Sequence, residues 1–577
     1  MIKKYRGIIR IIFILVMIFN LSACTANEKK EEAVSTITAA ALIPSNEVED
    51  NTDSSEEIEE SQAPAINYEV VFTDDFESGN TDFVSRGGEK TEIVDTQAYE
   101  GTHALQSSGR TDTWNGPKID LSQLLTAGKR FQVSTWVKYE DGDASNIRIY
   151  CKLEKNASEY LAIGSMMANK GEWSLLEGEI EIPFGTDTAA LYFETEYKSA
   201  FTQDDLVNIY IDNVKVTEVT ANMAEQTLPS LKEAYKDYFV IGVAVGADNL
   251  LSADKITLIK NQFNSITMGN EMKAENILDY SACVANVDQT NEYPALNFDK
   301  LDIGLKFAQD NGIALRGHTL VWHSQTPSWF FKEDYSKDSN APLASKDVML
   351  KRLENYIKQV LEYTQENYQG VVYAWDVVNE AILTGDGEKN GYRVNDSLWY
   401  QTIGPEYVEK AFEYARKYVA PGVKLIYNDF NTYEANKRLA IYNLAAMLKK
   451  KGLIDGIGMQ SHIKMSYPSL VDYQVTLTKF AELGLEIQIT ELDMDLETNS
   501  EDDLMKQAMR YKRLFTILKK LKDEGTANIT SVTFWGLSDD GSWLNDDTPS
   551  YPLLFDKYLQ AKKSFWGVLL DDTIPLY

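Results

Sequence analysis

Two glutamates stand at the ends of otherwise apolar runs. Glu380 closes Trp375-Asp376-Val377-Val378-Asn379-Glu380, and Glu491 closes Ile487-Gln488-Ile489-Thr490-Glu491. A carboxylate beside apolar side chains is costly to bury, so an acid in such a place usually has a task. Two such acids about 5 Å apart suit retaining glycoside hydrolysis, with one the nucleophile and the other first acid, then base. Rim acids paired with Lys or Arg are the bland reading of either residue alone. Glu491 and Asp493 are two apart at a strand end, so their carboxylates lean to one side and repel. His462, at the end of the preceding run, is placed to bridge the two and keep Glu491 ionised. Glu380 is then the group expected to have the raised pKa that acid/base work requires. Zinc at His318, His323 and His462 is disfavoured, since no metal-ligand motif such as H-E-x-x-H occurs.

These residues must be held by a scaffold, and residues 229–577 supply eight β-branched or apolar runs. The runs are Phe239–Val245, Phe263–Met268, Ile313–Trp322, Val371–Asn379, Val423–Asn428, Ile454–Gln460, Leu485–Thr490 and Ser531–Gly536. Between them, Glu406–Val419 and Leu470–Leu483 carry apolar residues at helical spacing. Strands alternating with helices indicate parallel βαβ units, and eight of them fit an α/β fold, the closed (β/α)8 TIM barrel. Polar residues gather where the runs end, which in this fold is the active-site face.

The same segment resembles glycoside hydrolase family 10, the endo-β-1,4-xylanases. The resemblance rests on Gly317-His318-Thr319-Leu320-Val321-Trp322-His323, Trp375–Glu380, Gln460-Ser461-His462, Ile489-Thr490-Glu491-Leu492-Asp493 and Thr533-Phe534-Trp535-Gly536. It implies Glu380 as acid/base and Glu491 as nucleophile, supported by His462, Asp493 and Asn379. Asn379 is then expected to bond the sugar 2-hydroxyl. The resemblance also places Asn270, Lys273, His318, Trp322, His323, Gln325, Asn428, Gln460, Trp535 and Trp543 around the substrate. One departure stands out: the family has Glu just before the Asn matching Asn270, and this chain has Gly269. The resemblance therefore does not carry over that Glu's hydroxyl contact two sugars back from the cleavage point, where Asn270 and Lys273 can still serve.

Residues 67–219 alternate apolar and polar positions in short runs, such as Phe131–Val137, Asn146–Tyr150 and Val207–Ile211. Gly, Asn and Asp clusters separate them, which indicates an all-β sandwich. The segment resembles a family 22 carbohydrate-binding module of the xylan-binding sort, a jelly roll, through Ser85-Arg86-Gly87, Thr113-Trp114-Asn115-Gly116-Pro117 and Leu191-Tyr192-Phe193-Glu194. The match implies that Arg86, Trp114, Tyr160, Tyr192 and Glu194 line a sugar-binding groove. Aromatic faces pack on pyranose rings while Arg and Glu bond hydroxyls. Modules of this fold often carry a structural calcium, which is expected here only as an accessory. His103 falls outside these stretches and reads as structural.

Lys3, Lys4, Arg6 and Arg10 precede an apolar run, Ile11 to Leu21, about half the roughly 20 residues a membrane-spanning helix needs. The run ends in Leu21-Ser22-Ala23-Cys24, which resembles the bacterial lipoprotein box and implies a lipidated Cys24 at the end of a signal peptide, residues 1–24. Two acyl chains would hold the protein at a membrane. Residues 25–66 carry 11 acidic and 2 basic residues and no aromatic, as a solvated tether would. Across all 577 residues the net charge is −32, which excludes a sequence-independent grip on nucleic acid. With Cys24 lipidated, Cys151 and Cys283 read as buried free thiols. The whole reads as a lipid-anchored, extracytoplasmic, monomeric endo-1,4-β-xylanase that binds xylan and xylooligosaccharides and needs no catalytic cofactor. A β-1,4- or mixed-linkage glucanase and a catalytically weak xylan-binding protein are the alternatives.

Overall fold

A computed structural model of the chain describes residues 66–221, 227–385, 388–389, 391–545 and 549–576. The leader, Cys24 and nearly all of the acidic tether lie outside these residues. Among the described residues no helix is long and apolar enough to cross a membrane.

The first eleven strands build a sandwich. They are β1 Ile66–Asp74, β2 Val84–Ser85, β3 Lys90–Val94, β4 Ala104–Ser108, β5 Pro117–Asp120 and β6 Arg130–Lys138. Then come β7 Asn146–Lys155, β8 Glu159–Asn169, β9 Ser174–Glu181, β10 Ala189–Thr195 and β11 Ile209–Ala221. One sheet runs β3-β4-β11-β6-β9, with β1 also on β11, and the other runs β2-β5-β10-β7-β8. Alternation explains the layering. On β6, Phe131, Val133, Thr135 and Val137 are buried between the sheets, while Arg130, Gln132, Ser134 and Trp136 turn outward. Cys151 lies in this core and Cys283 in that of the barrel, both buried and free, as the sequence suggested.

The barrel begins with β12 Val240–Val245, β13 Ser265–Met268, β14 Ala314–Gly317, β15 Val321–Trp322 and β16 Val372–Asn379. After a hairpin, β17 Glu388–Lys389 and β18 Tyr392–Arg393, it continues with β19 Lys424–Asp429 and β20 Gly456–Met459. The last strands are β21 His462–Lys464, β22 Glu486–Asp495 and β23 Ile529–Phe534. Parallel pairing runs β12-β13-β14-β16-β19-β20-β22-β23 and returns to β12, which closes the eight-stranded barrel expected from the sequence. The expected helices form as Tyr407–Tyr418 and Leu470–Ala481, the second capped by Ser469 Oγ accepting from Asp472 N.

Two boundaries differ from the sequence reading, and both differences matter at the mouth. The run Ile313–Trp322 is broken, so that β15 pairs separately with the end of β16. The run ending at Thr490 instead continues to Asp495, because β21 pairs with its far end, His462 opposite Asp493. Glu491 and Asp493 are therefore held within a strand rather than on a loop.

Candidate active site

Glu491 is only 4% exposed, and its two oxygens have separate partners. Asn428 Nδ2 donates to Oε1 at 2.7 Å, and His462 Nε2 donates to Oε2 at 3.2 Å. The other ring nitrogen of His462 lies 2.8 Å from Asp493 Oδ2, which also accepts from Trp543 Nε1 at 2.8 Å. His462 thus bridges the two acids as its spacing predicted. Burial alone would lower its pKa, but Asp493 and then Glu491 outweigh burial and raise it to about 10. The ring is an imidazolium at neutral pH, with both nitrogens donating.

Asn428 reaches this position because residue 458 is glycine. A Cβ on Gly458 would stand 2.4 Å from Asn428 Oδ1. The amide is saturated: Oδ1 accepts from Thr490 Oγ1 at 2.6 Å, and Nδ2 also donates to Asn379 Oδ1 at 3.0 Å. Asn428 is fully buried and faces Glu491, so its place is behind the acid rather than on the substrate side where the resemblance put it.

Glu380 sits just past β16 with φ of 57°, a left-handed backbone that turns the chain sharply at the barrel rim. Its peptide is pinned on both sides, by Glu380 N donating to Asn428 O at 2.9 Å and Arg393 Nε donating to Glu380 O at 3.2 Å. Its carboxylate accepts from Gln460 Nε2 at 2.9 Å, Asn379 Nδ2 at 3.2 Å and Trp322 Nε1 at 3.0 Å. Gln460 Nε2 also reaches Asn379 Oδ1 at 3.1 Å, so an unbroken chain of amides links the two carboxylates.

The expected raised pKa of Glu380 is not found in the free site. Burial pushes it up, but His323, the Gln460 donor, Arg393 and the Trp322 donor together hold it below the ordinary glutamate value. His323 itself, 4.0 Å from Glu380 Oε2, is pulled down to about 4 by burial and Arg393.

The remaining barrel residues fall into two groups. Lys273, buried, donates to Gln325 Oε1 at 2.8 Å and Asn270 Oδ1 at 3.2 Å and lies 4.9 Å from the Trp322 ring centroid. Burial drops its pKa to about 8 against the pull of Glu491 and Glu380. His318 is buried with Nδ1 2.8 Å from Asp376 Oδ2 and 4.0 Å from Glu491 Oε1. Toward the opening stand exposed Asn270, half-buried Trp535 against the rings of His318 and His462, and Trp543, 45% exposed, with its ring 4.9 Å from that of His462. A Cβ on Gly269 would meet nothing nearer than Val245 O at 3.7 Å, so the position offers room and no functional group.

Beneath this layer lies a cluster that sequence reasoning missed. Arg316 grips Asp376 with both terminal guanidinium nitrogens and donates Nε to Gln488 Oε1 at 2.8 Å, all three residues fully buried. Burial pushes Asp376 up, yet Arg316 and His318 hold it below its ordinary value, so it remains a carboxylate that orients His318. The available signal was a charge inside each of two apolar strands, Arg316 in β14 and Asp376 in β16.

In the sandwich, the predicted groove residues come together around Arg86. Its guanidinium lies 3.8 Å from the Tyr192 ring centroid, 4.8 Å from Tyr160 and 5.2 Å from Trp114, and pairs with Glu194 and Glu154 at 3.1 Å each. Tyr192 is 1% exposed and Glu194 is buried. Tyr192 and Glu194 thus form the floor under Arg86 rather than open groove surface, and Trp114 and Tyr160 form its accessible walls. Among the described residues no group of three or more His, Cys, Asp or Glu is disposed to hold a metal. Glu77, the acid of the β1–β2 turn, already accepts from Thr102 N, His103 N, Thr102 Oγ1 and His103 Nδ1.

A closed parallel barrel with two strand-end acids joined by one amide network at its C-terminal mouth defines a barrel glycoside hydrolase. The chain belongs to glycosyl hydrolase family 10, whose family model matches residues 230–570. A carbohydrate binding domain model matches residues 68–202. The chain is 39% identical over 526 residues to endo-1,4-beta-xylanase A of Thermotoga maritima, covering 88% of this chain and 46% of that one. It is 45% identical over 353 residues to endo-1,4-beta-xylanase B of Butyrivibrio fibrisolvens, covering 60% of this chain and 54% of that one. The chain thus spans about half the length of these curated relatives. A solved Clostridium thermocellum endo-1,4-beta-D-xylanase, its CBM22-1 and GH10 modules complexed with xylohexaose, is similar at 30% identity with a TM-score of 0.55. That match covers 88% of this chain and 98% of the other.

Proposed function

We propose that the chain is an endo-1,4-β-xylanase that hydrolyses xylan and xylooligosaccharides with retention of anomeric configuration. The observation that carries this reading is the network joining Glu380 and Glu491, in a chain whose relatives are xylanases over most of its length. Glu491, held by Asn428 and His462, attacks the anomeric carbon, while Glu380 gives its proton to the departing glycosidic oxygen. The ester on Glu491 is then opened by a water that Glu380 deprotonates. The free site favours ionised Glu380, which is the form the second step needs. In the first step a sugar filling the cleft excludes water, and the charge of Glu491 then favours the protonated acid.

Asn379 is offered to the sugar 2-hydroxyl, with Asn270, Lys273 and Gln325 further back and Trp535 and Trp543 walling the site. The sandwich is read as a family 22 xylan-binding module, a reading supported by the Clostridium thermocellum structure, whose modules include one of that family. Anchoring of a monomer outside the cytoplasm through lipidated Cys24 completes the proposal, and it needs no catalytic cofactor. Reducing-sugar release from xylan, measured beside mixed-linkage β-glucan and cellulose, tests the substrate. Release from glucan alone would make the chain a glucanase, and release from none a binding protein. Glu491→Gln should cost at least about 10³-fold in turnover, and near-native turnover would remove Glu491 from the nucleophile role. NMR of the first-formed product should show the β anomer.

A further inference from the structure

The sandwich and the barrel belong to one compact unit, and the side chains between them carry charge in alternation. From the sandwich come Arg130 on β6 and Glu179 and Glu181 on β9; from the barrel come Lys255, Asp540 and Lys557. Arg130 donates to Glu181 at 3.1 Å, Glu179 at 3.3 Å and Asp540 at 2.6 Å. Lys255 grips Glu181 at 2.7 and 2.9 Å, and Lys557 reaches Glu179 at 2.6 Å. Three cations meet three acids, and the Arg130 side chain at the centre is only 13% exposed. Isolated exposed pairs contribute little, but a shielded network in which Glu179 and Glu181 are each shared by two cations holds its members to one geometry.

What Arg130 grips is a short turn, Asp539–Gly541, that follows the last barrel strand. Asp540 spends one oxygen on Ser538 Oγ at 2.7 Å and the other on Arg130. Its neighbour Asp539 is held by Lys562 Nζ at 2.8 Å and by Leu553 N at 2.9 Å. Asn545 Nδ2 ties the turn's far side back to Asp539 O at 2.6 Å. Three residues beyond Asp540 stands Trp543, whose indole holds Asp493, the partner of His462.

We propose that Arg130, a residue of the sandwich, is a positioning residue of the catalytic mouth: by gripping Asp540 it fixes the turn that holds Trp543 against Asp493 and His462. The sandwich then completes the rim of the site as well as carrying its own groove. Arg130 touches neither substrate nor reacting atoms and acts through the turn.

The test uses the full chain and two readouts, the first of which rests on the xylanase reading. For hydrolysis of an aryl β-xylobioside, Arg130→Gln and Asp540→Asn should each lower kcat/KM by about 3- to 10-fold, and the double variant should be no worse than either alone. Arg130→Lys should recover part of the loss. Lys129→Gln, whose partner Glu218 lies on the sandwich itself, should behave as the parent does. The second readout is hydrogen–deuterium exchange of residues 538–545, which should quicken in Arg130→Gln and not in Lys129→Gln. Unchanged exchange, or additive losses in the double variant, overturns the proposal. A parent inactive on xylosides overturns the xylanase reading instead, and the exchange experiment still decides the role of Arg130.

Discussion

Trp322 crosses from the end of one barrel strand to donate its indole Nε1 to Glu380 Oε2 at 3.0 Å. A donor to an ionised carboxylate stabilises the charged form, so this contact lowers the pH at which Glu380, the proposed acid, gives up its proton. In Trp322→Phe the alkaline limb of the kcat/KM profile should therefore move upward, whatever happens to the maximum. A limb that stays in place would mean the donor does not tune Glu380.

The imidazolium at residue 462 should make stability depend on pH. Its pKa is raised from 6.5 to about 10 in the folded protein. The contribution is therefore complete below about pH 6.5 and is lost as pH rises toward 10, on the order of a few kcal/mol over the range. Thermal unfolding between pH 7 and 10 should show a falling Tm, and His462→Gln should flatten that part of the curve. An equal slope in the variant would place the loss elsewhere.

Within the sandwich, walls and floor should respond differently. Trp114→Ala and Tyr160→Ala, which remove accessible aromatic faces, should weaken retention on insoluble xylan by about tenfold with little change in Tm. Arg86→Ala strips Glu194 and Glu154 of a partner in a buried setting and should destabilise the sandwich by about 2 kcal/mol or more. Calorimetry separates the two outcomes.

Gly269 gives a gain-of-contact experiment. The space beside it accepts a side chain, so Gly269→Glu should fold normally and supply a carboxylate next to Asn270. KM for xylotriose and longer oligosaccharides should fall, by about 3- to 10-fold for one good hydroxyl contact. Turnover of substrates too short to reach that position should not change.

The barrel was legible because strands buried on both sides leave long apolar runs, and a polar residue at the end of such a run is conspicuous. Glu380, Glu491 and the His462 bridge were all visible in that way. The pKa direction of Glu380 was not, because it depends on donors from Gln460 and Trp322, two other strand ends whose convergence no periodicity records. Strand parity put Tyr192 and Glu194 on one face correctly. It could not tell that Arg86 would arrive from another loop and cover them. Asp376 stood in plain view four residues before Glu380, yet its meaning lay in Arg316, 60 residues away in sequence.

The two sheets of the sandwich have different neighbours. Arg130, Glu179 and Glu181 belong to the sheet containing β6 and β9, whereas Tyr160, Tyr192 and Glu194 belong to the sheet containing β8 and β10. Docking therefore leaves the groove uncovered. For a polymer long enough to reach both places, engagement of the second becomes intramolecular, and its effective concentration is set by fixed geometry rather than by a wandering linker. On the proposed xylanase reading such an arrangement would discriminate by length: long chains would gain avidity, and fragments would drop away once cleavage left them too short to span the two sites.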